Sequence, residues 1–307
     1  ATDRPIWPQG LNAPEKADRI PSTLNWDLFT GPAKLNPYNE IYHPWNWRGW
    51  WDYGTGALGD MACHILHQPF KALKLQYPTK VEGSSTLLLN ACAPQAQHVK
   101  MIFPARENMP KVAMPEVEIH WYDGGMMPDR PEGFPQGKEL MGEGGGLCIF
   151  HGTKDTLICG CYGVNPWLLS GRKPNVPQTL RRVKDAMKGG HEQDWIRACK
   201  ESAGSRVQTK SNFLEAGPFN EMVVMGVLAV RLQRLNKELL WDGPNMRFTN
   251  IDPNETIKII KKDTFEVIDG DPKFKTEWTD PINAQEFAAG LIKHNYREGW
   301  KLVDMPR

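Results

Sequence analysis

The sequence predicts an α+β fold in which an open, mostly antiparallel sheet carries helices on one face. Strand-like runs follow one another through short turns, which is typical of antiparallel pairing. The segment 218–236 is apolar on all sides, which is typical of a helix buried against a sheet. No alternation of strand, helix and strand surrounds the Gly-rich segment 54–59, so a doubly wound α/β fold is not favoured.

The first 45 residues and the helix that follows them set the N-terminal organisation. Residues 1–45 are rich in Pro, Asn and Trp without a clear period, so we expect an extended crossing segment. A helix is predicted over 58–75, kinked near Pro69 because proline cannot donate a helical hydrogen bond. We expect residues 1–307 to form a single substrate-binding and oligomerisation domain.

The remaining elements follow from alternation, turn residues and helix ends. Strands are predicted at 85–92, 98–103, 117–122, 147–151 and 156–162, and the last two flank the hairpin signal Gly152-Thr153-Lys154-Asp155. Helices are predicted at 191–203 and 218–236. Residues 124–146 are expected to be a surface loop, and 250–290 a polar insertion with a small strand at 265–268.

Composition excludes several classes of partner. The chain has 37 Lys and Arg against 36 Asp and Glu, so no nucleic-acid partner is expected. The longest apolar run, 222–230, is shorter than the roughly 20 residues of a membrane span, so no membrane association is expected. No signal peptide is expected from the first residues, and a cytoplasmic or a periplasmic location stays open. The six cysteines are expected to be buried free thiols. Cys148 would face Cys159 or Cys161 across a hairpin, so a disulfide there stays open as an alternative.

Most of the candidate chemistry lies in residues 47–70. At about 100° per residue, Asp60, His64 and His67 fall within about 60° of one another on a helix. An apolar arc opposite them can pack inward while the acid and the two imidazoles face a cleft. Arg48 and four tryptophans come just before this helix: Trp45, Trp47, Trp50 and Trp51. Aromatic faces stack on sugars, but they are equally good core material.

The pattern Gly54-x-Gly56-x-x-Gly59 matches the dinucleotide-binding expression but is not expected to act as one. A dinucleotide motif must follow a hydrophobic strand inside a βαβ unit, whereas this one follows WRGWWDY. We expect a tight turn that brings the backbone, at Gly56 above all, close to substrate or cofactor.

The same stretch resembles the C-terminal domain of the Gfo/Idh/MocA oxidoreductases, which are NAD(P)-dependent and act mostly on sugars and cyclitols. The family pattern is a Gly-rich turn followed by D-x-G-x-H-x-x-D, and this sequence has Asp60, Ala62, His64 and His67 at its last four defined positions. Trp47-Arg48, HEQDWIRACK and the closing YREGW extend the resemblance over most of the chain. It implies the C-terminal fold type of glyceraldehyde-3-phosphate dehydrogenase and a homodimer or higher homo-oligomer.

The family places an NAD(P)-binding Rossmann domain, and a Lys that completes the active site, ahead of this segment. Neither is found in this sequence. We therefore expect the chain to be the substrate and assembly half of an enzyme, inactive alone. NAD or NADP would serve the full-length enzyme, and we expect none to bind this chain by itself.

The resemblance makes His64 the best catalytic candidate. An alcohol can lose hydride only if its hydroxyl proton also leaves, and a histidine suits that transfer. Asp60, one turn earlier, would orient the imidazole or relay the proton, and the alternative is a simple helix-surface pair. We expect Asp60, His64 and at least two of the four tryptophans to line one concavity.

Candidates for binding the sugar-like substrate are Trp47, Arg48, Trp50, Trp51, His67 and His191. His67 stands where the family usually has a carboxylate, and His191 opens a helix that it would otherwise simply cap. Arg48 would hold a carboxylate, a phosphate or the cofactor edge, or else form a structural ion pair. Asp60, His64 and His67 would alternatively share a metal, but no further ligand lies nearby and none is expected. The segment 296–300 is interpreted as a docking clasp.

Three functions stay open at this point. The first is the substrate-binding and catalytic half of an NAD(P)-dependent oxidoreductase acting on a sugar or cyclitol hydroxyl. The second is an NAD-dependent redox-assisted glycoside hydrolase, which would recycle its cofactor. The third is a non-catalytic carbohydrate-binding or assembly domain, in which the tryptophans bind and the Asp–His stripe is incidental.

Overall fold

The structure, a computed structural model, describes residues 7–109, 115–140, 145–177, 183–185 and 188–301. Six α-helices lie in these ranges: α1 (Trp26–Thr30), α2 (Gly56–Ile65), α3 (His67–Ala72), α4 (Gly190–Lys200), α5 (Phe213–Arg231) and α6 (Ala284–Ile292). Short 3-10 turns occur at Glu40–Tyr42, Asn46–Gly49, Cys161–Gly163, Gln233–Leu235 and Gly243–Asn245.

Twelve strands are present in the described ranges: β1 (Lys80–Ser85), β2 (Gln97–Phe103), β3 (Val117–Tyr122), β4 (Leu147–His151), β5 (Thr156–Gly160), β6 (Trp167–Leu168), β7 (Leu239–Asp242), β8 (Arg247–Phe248), β9 (Thr256–Ile257), β10 (Ile260–Ile268), β11 (Asp271–Trp278) and β12 (Ile282–Asn283). The main sheet has the order β3-β2-β1-β7-β8, and β4-β5-β6 form a second sheet. All pairs between named strands are antiparallel. The predicted α+β class is confirmed.

The main core lies between the five-stranded sheet and α5. Val99, Met101 and Phe103 alternate along β2 and are at most 1% exposed. The second half of α5 is buried against this face, and α2 packs on α5. Gly226 makes the helix contact possible, because a Cβ there would lie 2.9 Å from the Leu58 side chain and 2.7 Å from that of Met101. Helix α2, which carries the predicted site, is therefore held rigidly on the core.

The prediction of a single helix over 58–75 is wrong. The segment contains two helices, α2 and α3, with Leu66 between them at φ −81° and ψ −9°. The break lies three residues before Pro69, because a proline ring clashes with the carbonyl four residues earlier, here that of Ile65. His67 consequently starts a new helix and does not continue the stripe of Asp60 and His64.

Other predicted boundaries also need correction. The helix predicted from Pro218 begins at Phe213 and ends at Arg231, so the proline lies inside α5. The helix predicted over 191–203 is α4 and ends at Lys200. The strand predicted at 85–92 is wrong: β1 ends at Ser85, and Leu88 and Leu89 are both buried, so alternation fails there. The strand predicted at 156–162 ends at Gly160, and a 3-10 turn follows it.

The strands predicted at 98–103, 117–122 and 147–151 are confirmed as β2, β3 and β4. The small strand at 265–268 is the end of the nine-residue β10, which pairs with β11 in a long hairpin. Residues 7–45 are largely irregular and bring Trp26, Tyr38 and Tyr42 to a second cluster with Trp50 and Cys92.

By length and composition alone, α5 is the one helix in the described ranges that could cross a membrane. This is weak support for a span, because core helices pass the same test, and α5 packs on the sheet. Cys148 and Cys159 are register partners across β4 and β5, and all six cysteines are free. The expectation that all are buried is wrong for Cys63 and Cys199, which are exposed on the outer sides of α2 and α4.

Replacing Gly83 with alanine is expected to lower the free energy of unfolding by about 1–3 kcal/mol. A Cβ at this position in β1 would lie 2.6 Å from the backbone nitrogen of Val230 and 2.7 Å from the carbonyl carbon of Ala229. Backbone atoms cannot rotate away, so β1 and α5 must separate. Urea unfolding measures the change. Gly290→Ala in α6 is the control, because nothing lies within 4 Å of its added Cβ. We expect the control to gain up to about 1 kcal/mol, and an equal loss in both variants would contradict this packing.

Candidate functional site

The glycines of the Gly54–Gly59 turn are required by close packing. A Cβ at Gly54 would lie 2.5 Å from the carbonyl oxygen of Arg48, and one at Gly59 would lie 1.9 Å from the Thr55 hydroxyl. Gly56 has φ +66°, and its added Cβ would lie 2.6 Å from that of Ala93. The backbone N–H of Ala57, at the start of α2, donates to Oε1 of Gln9 at 2.8 Å. The turn thus fixes the start of α2 in the core, and nothing in its described contacts tests a cofactor role for Gly56.

Arg48 is held in an aromatic cage beside Asp60. Its guanidinium carbon lies 4.0 Å from the Trp45 ring, 4.6 Å from the Trp47 ring and 6.0 Å from the Trp7 ring. Its Nε lies 3.5 Å from Oδ2 of Asp60, and its Nη1 donates to the carbonyl of Trp45 at 3.1 Å. The side chains of Arg48 and Asp60 are 24% and 32% exposed, so the pair faces solvent in part. Asp60 therefore has a fixed cationic partner.

His64 lies one turn after Asp60 on α2 and is half-buried. Its ring packs edge-on against Tyr162, with centroids 5.4 Å apart. Tyr162 is 65% exposed and has φ +61°, a left-handed conformation that a tyrosine rarely adopts. Such backbone strain is found where the surrounding structure fixes a side chain for a purpose. Tyr162 is not among the site residues predicted from the sequence, and its local signal is the Tyr-Gly pair that follows β5.

His67 lies in an ionic cluster between α3 and α5. Its Nε2 donates to Oε1 of Glu215 at 2.9 Å, and Nζ of Lys71 donates to both oxygens of the same carboxylate, at 2.5 Å for Oε2. Burial alone would raise the pKa of Glu215, but the hydrogen bonds and charges of Lys71 and His67 lower it overall. Glu215 on α5 therefore supplies a carboxylate beside His67. In the family pattern, the carboxylate belongs to the residue at the position of His67 itself.

The four tryptophans divide into two pairs, and the expectation that at least two of them line one concavity with Asp60 and His64 stays a prediction. Trp50 is 1% exposed in the cluster of Trp26, Tyr38 and Tyr42, where it is core material. Trp51 is 9% exposed and lines a different cavity, whose walls include neither Asp60 nor His64. Only Trp45 and Trp47 approach the predicted site, and they do so through Arg48.

His191 lies in the first turn of α4 and is exposed. No described contact brings it to α2, so the structure does not join it to the other candidates. Within the described residues, no group of three or more His, Cys, Asp or Glu is placed to hold a metal. In the same part of the chain, the Gly-rich turn follows a 3-10 turn instead of a strand, and no parallel βαβ unit surrounds it. The Gly-rich turn of residues 54–59 therefore lacks the strand–turn–helix setting of a dinucleotide-binding motif.

Comparison with known protein families gives a match that covers the segment containing Arg48, Asp60 and His64. Residues 7–102 match the family model described as "Oxidoreductase family, C-terminal alpha/beta domain", which is a model of the Gfo/Idh/MocA family. This segment is similar to a Gfo/Idh/MocA C-terminal domain. The match confirms the resemblance inferred from the sequence for residues 7–102. No curated protein matches the chain.

The matched segment contains the Gly-rich turn, Arg48, Asp60, His64 and His67. The partners that this chain gives to those residues come from beyond residue 102. They are Tyr162 against His64 and Glu215 against His67. The site is thus assembled from the family segment and from later parts of the chain.

Proposed function

We propose that this chain is the substrate-binding and proton-transferring half of an NAD(P)-dependent oxidoreductase that acts on a sugar or cyclitol hydroxyl. The observation that carries the proposal is His64. It is half-buried on a rigid helix, one turn after the Asp60–Arg48 pair and under the exposed ring of Tyr162. The similarity of residues 7–102 to an oxidoreductase family supports this choice of class.

In this proposal His64 accepts the hydroxyl proton of the substrate as a general base. In the described part of the chain, its ring has the Tyr162 contact and no hydrogen-bond partner, so its nitrogens are open to a substrate. Asp60 lies on the same helix face, about one turn away. Its carboxylate, held by Arg48, would orient the imidazole or relay the proton that His64 accepts.

Aromatic surfaces beside His64 and Asp60 suit a sugar ring. Tyr162 is 65% exposed and Trp45 is 52% exposed. Both rings present apolar faces to solvent beside polar groups, which is the arrangement that carbohydrate CH surfaces and hydroxyls need together. Trp45 is fixed by Arg48 on one face, so little conformational entropy is lost when a ligand stacks on it.

A nicotinamide cofactor carries the hydride chemistry of such an enzyme. The described residues contain no dinucleotide-binding unit, so the role derived for this chain is limited to holding the alcohol and moving its proton. The homo-oligomer also stays a prediction. The outer face of the main sheet presents His98, Lys100 and His120, so a subunit contact there would be polar.

The proposal is tested by turnover in a fusion protein that joins this chain to an NAD(P)-binding Rossmann domain. Incubation with a panel of pyranoses and cyclitols is expected to give one reduced nicotinamide per oxidised sugar, measured by absorbance and by product analysis. Aglycone release from glycosides without net reduced cofactor would contradict the dehydrogenase and favour the redox-assisted hydrolase. Sugar binding without any turnover would favour the non-catalytic binding domain.

A further inference from the structure

A cavity of about 530 Å³ lies between α5, the Trp51–Thr55 turn and the end of α6. Its walls are largely apolar: Val224, Met225, Val227, Leu228, Met246, Leu291 and Ile292. The polar lining groups include Thr55, Asn220, Glu221, Arg231 and His294. The volume suits a small organic molecule, and apolar walls with a few polar groups are typical of ligand sites.

Arg231 is the charged group of this cavity for which the described residues supply no counter-ion. Its guanidinium lies 4.7 Å from the Trp51 ring and 5.6 Å from the Phe287 ring. Among the residues that the structure describes, no carboxylate lies within ion-pair distance of it. Glu221 lines the same cavity, but it lies ten residues before Arg231 on α5, which corresponds to about 15 Å along the helix axis. Its carboxylate accepts instead from Nε1 of Trp241 at 2.8 Å.

Asp52 is the acidic residue whose charge acts on Arg231, and its carboxylate is also paired with other residues. Burial lowers the pKa of Arg231 to about 10, and the charge of Asp52 opposes that change. Oδ2 of Asp52 accepts from Nδ2 of Asn36 at 2.8 Å and lies 3.8 Å from Nζ of Lys34. Arg231 thus remains charged at neutral pH in a confined apolar setting. Charges in such settings are paired as a rule, because leaving one unpaired is costly.

We propose that this cavity binds a small organic monocarboxylate, with its carboxylate on Arg231 and its apolar body against the α5 and α6 side chains. A guanidinium matches a carboxylate in a two-point geometry, and its stacking on Trp51 holds the fork in place. The apolar walls favour a carboxylate with a hydrocarbon body over inorganic phosphate. Glu221 in the same cavity disfavours a second negative charge on the ligand.

The probe for this site is 3-phenylpropionate, and 3-phenylpropanamide is its neutral isostere. Calorimetry on the whole chain is expected to show saturable binding of the acid and at least about tenfold weaker binding of the amide. Asp60, His64 and His67 do not line the cavity, so binding is measured without turnover and does not depend on the proposed enzymatic function. Equal affinity for acid and amide, or binding of phosphate in place of the acid, would overturn the proposal.

Two variants assign the binding to Arg231. Arg231→Gln is expected to weaken 3-phenylpropionate binding at least about tenfold. Arg234→Gln is the matched control, because Arg234 lies 4.4 Å from the Trp278 ring and does not line the cavity. Its affinity is expected to stay that of the parent chain, and equal loss in both variants would refute the assignment.

A second measurement needs no change at Arg231 and so covers the case in which that variant fails to fold. Met225 and Met246 both line the cavity. With methyl-labelled methionine, addition of 3-phenylpropionate to the parent chain is expected to shift the signals of these two residues. The signal of Met61, which lies on α2 and not in the cavity wall, is expected to stay unchanged. Shifts confined to methionines outside the cavity would place the ligand elsewhere and overturn the proposal.

Discussion

Replacing His64 with alanine is expected to lower turnover of the fusion protein by about 10²–10⁴-fold, because general-base catalysis contributes about that much. The imidazole is half-buried on the last turn of α2, and the described structure gives its ring an aromatic neighbour but no hydrogen-bond partner. A residue in that state contributes little to folding by polar contacts. The loss should therefore appear in kcat, while the unfolding midpoint in urea changes little.

Two further variants separate a catalytic role from a local structural one. Asp60→Asn keeps the shape but removes the charge that pairs with Arg48 at 3.5 Å, and we expect a smaller loss of turnover than for His64→Ala. His151→Ala is the matched histidine control, because His151 is exposed at the end of β4. Near-parental turnover for both His64→Ala and Asp60→Asn would remove proton transfer from this helix. A large loss in His151→Ala would show that the assay reports general damage.

Short-range patterns were sufficient for the regular parts of the fold. The strands at 98–103, 117–122 and 147–151 were predictable because alternation and turn residues act over a few positions. The hairpin after β4 closes through the N–H of Gly152 and the carbonyl of Asp155 at 3.0 Å, within the predicted turn. The Asp60–His64 face was predictable for the same reason, since both residues lie on one continuous helix.

Long-range partners were not predictable from one sequence. Glu215 faces His67 across 148 positions of the chain, and Tyr162 reaches His64 through a turn with a strained φ. The cage of Arg48 includes Trp7, which belongs to the segment predicted only to be extended. No local period signals such pairs, because they depend on how separate elements pack.

The roles of the tryptophans could not be predicted for a different reason. Trp50 and Trp51 are adjacent in the sequence and have the same chemical capacity to stack on a sugar or to fill a core. The structure buries Trp50 among aromatic rings and places Trp51 beside Arg231 in a separate cavity. Whether a tryptophan fills the core or lines a cavity depends here on neighbours from α5 and from residues 26–42. The local sequence around Trp50 and Trp51 does not contain those neighbours.

Replacing Asp123 with alanine is expected to lower the free energy of unfolding by about 3–5 kcal/mol. Asp123 follows β3 and is fully buried. Its Oδ1 accepts from the backbone N–H of Gln97 at 3.1 Å, and its Oδ2 accepts from Nε2 of Gln97 and Nε1 of Trp121, both at 2.8 Å. Alanine would leave three buried donors without an acceptor, and urea unfolding at neutral pH measures that loss.

Asp123→Asn separates the hydrogen bonds from the charge. The amide oxygen can keep the bonds from Nε2 of Gln97 and Nε1 of Trp121, but its nitrogen then faces the N–H of Gln97. We expect a loss smaller than that of Asp123→Ala at neutral pH. A loss as large as that of the alanine variant would mean that the single bond to the backbone, and not the pair at Oδ2, holds this corner.

The charge of Asp123 gives the parent chain a pH dependence that the asparagine variant lacks. Burial raises the pKa of this carboxyl from 3.8 to about 6, against the lowering effect of its hydrogen bonds. As pH rises from about 4 to 6, the unfolded chain loses this proton before the folded chain does, so the contribution to stability is lost in that window. A shift of about two pKa units corresponds to about 3 kcal/mol. The parent should therefore become less stable relative to Asp123→Asn over this range, measured by urea unfolding at each pH. Parallel stability curves for the two proteins would show that folding does not raise the pKa of Asp123, because its three donors then offset the effect of burial.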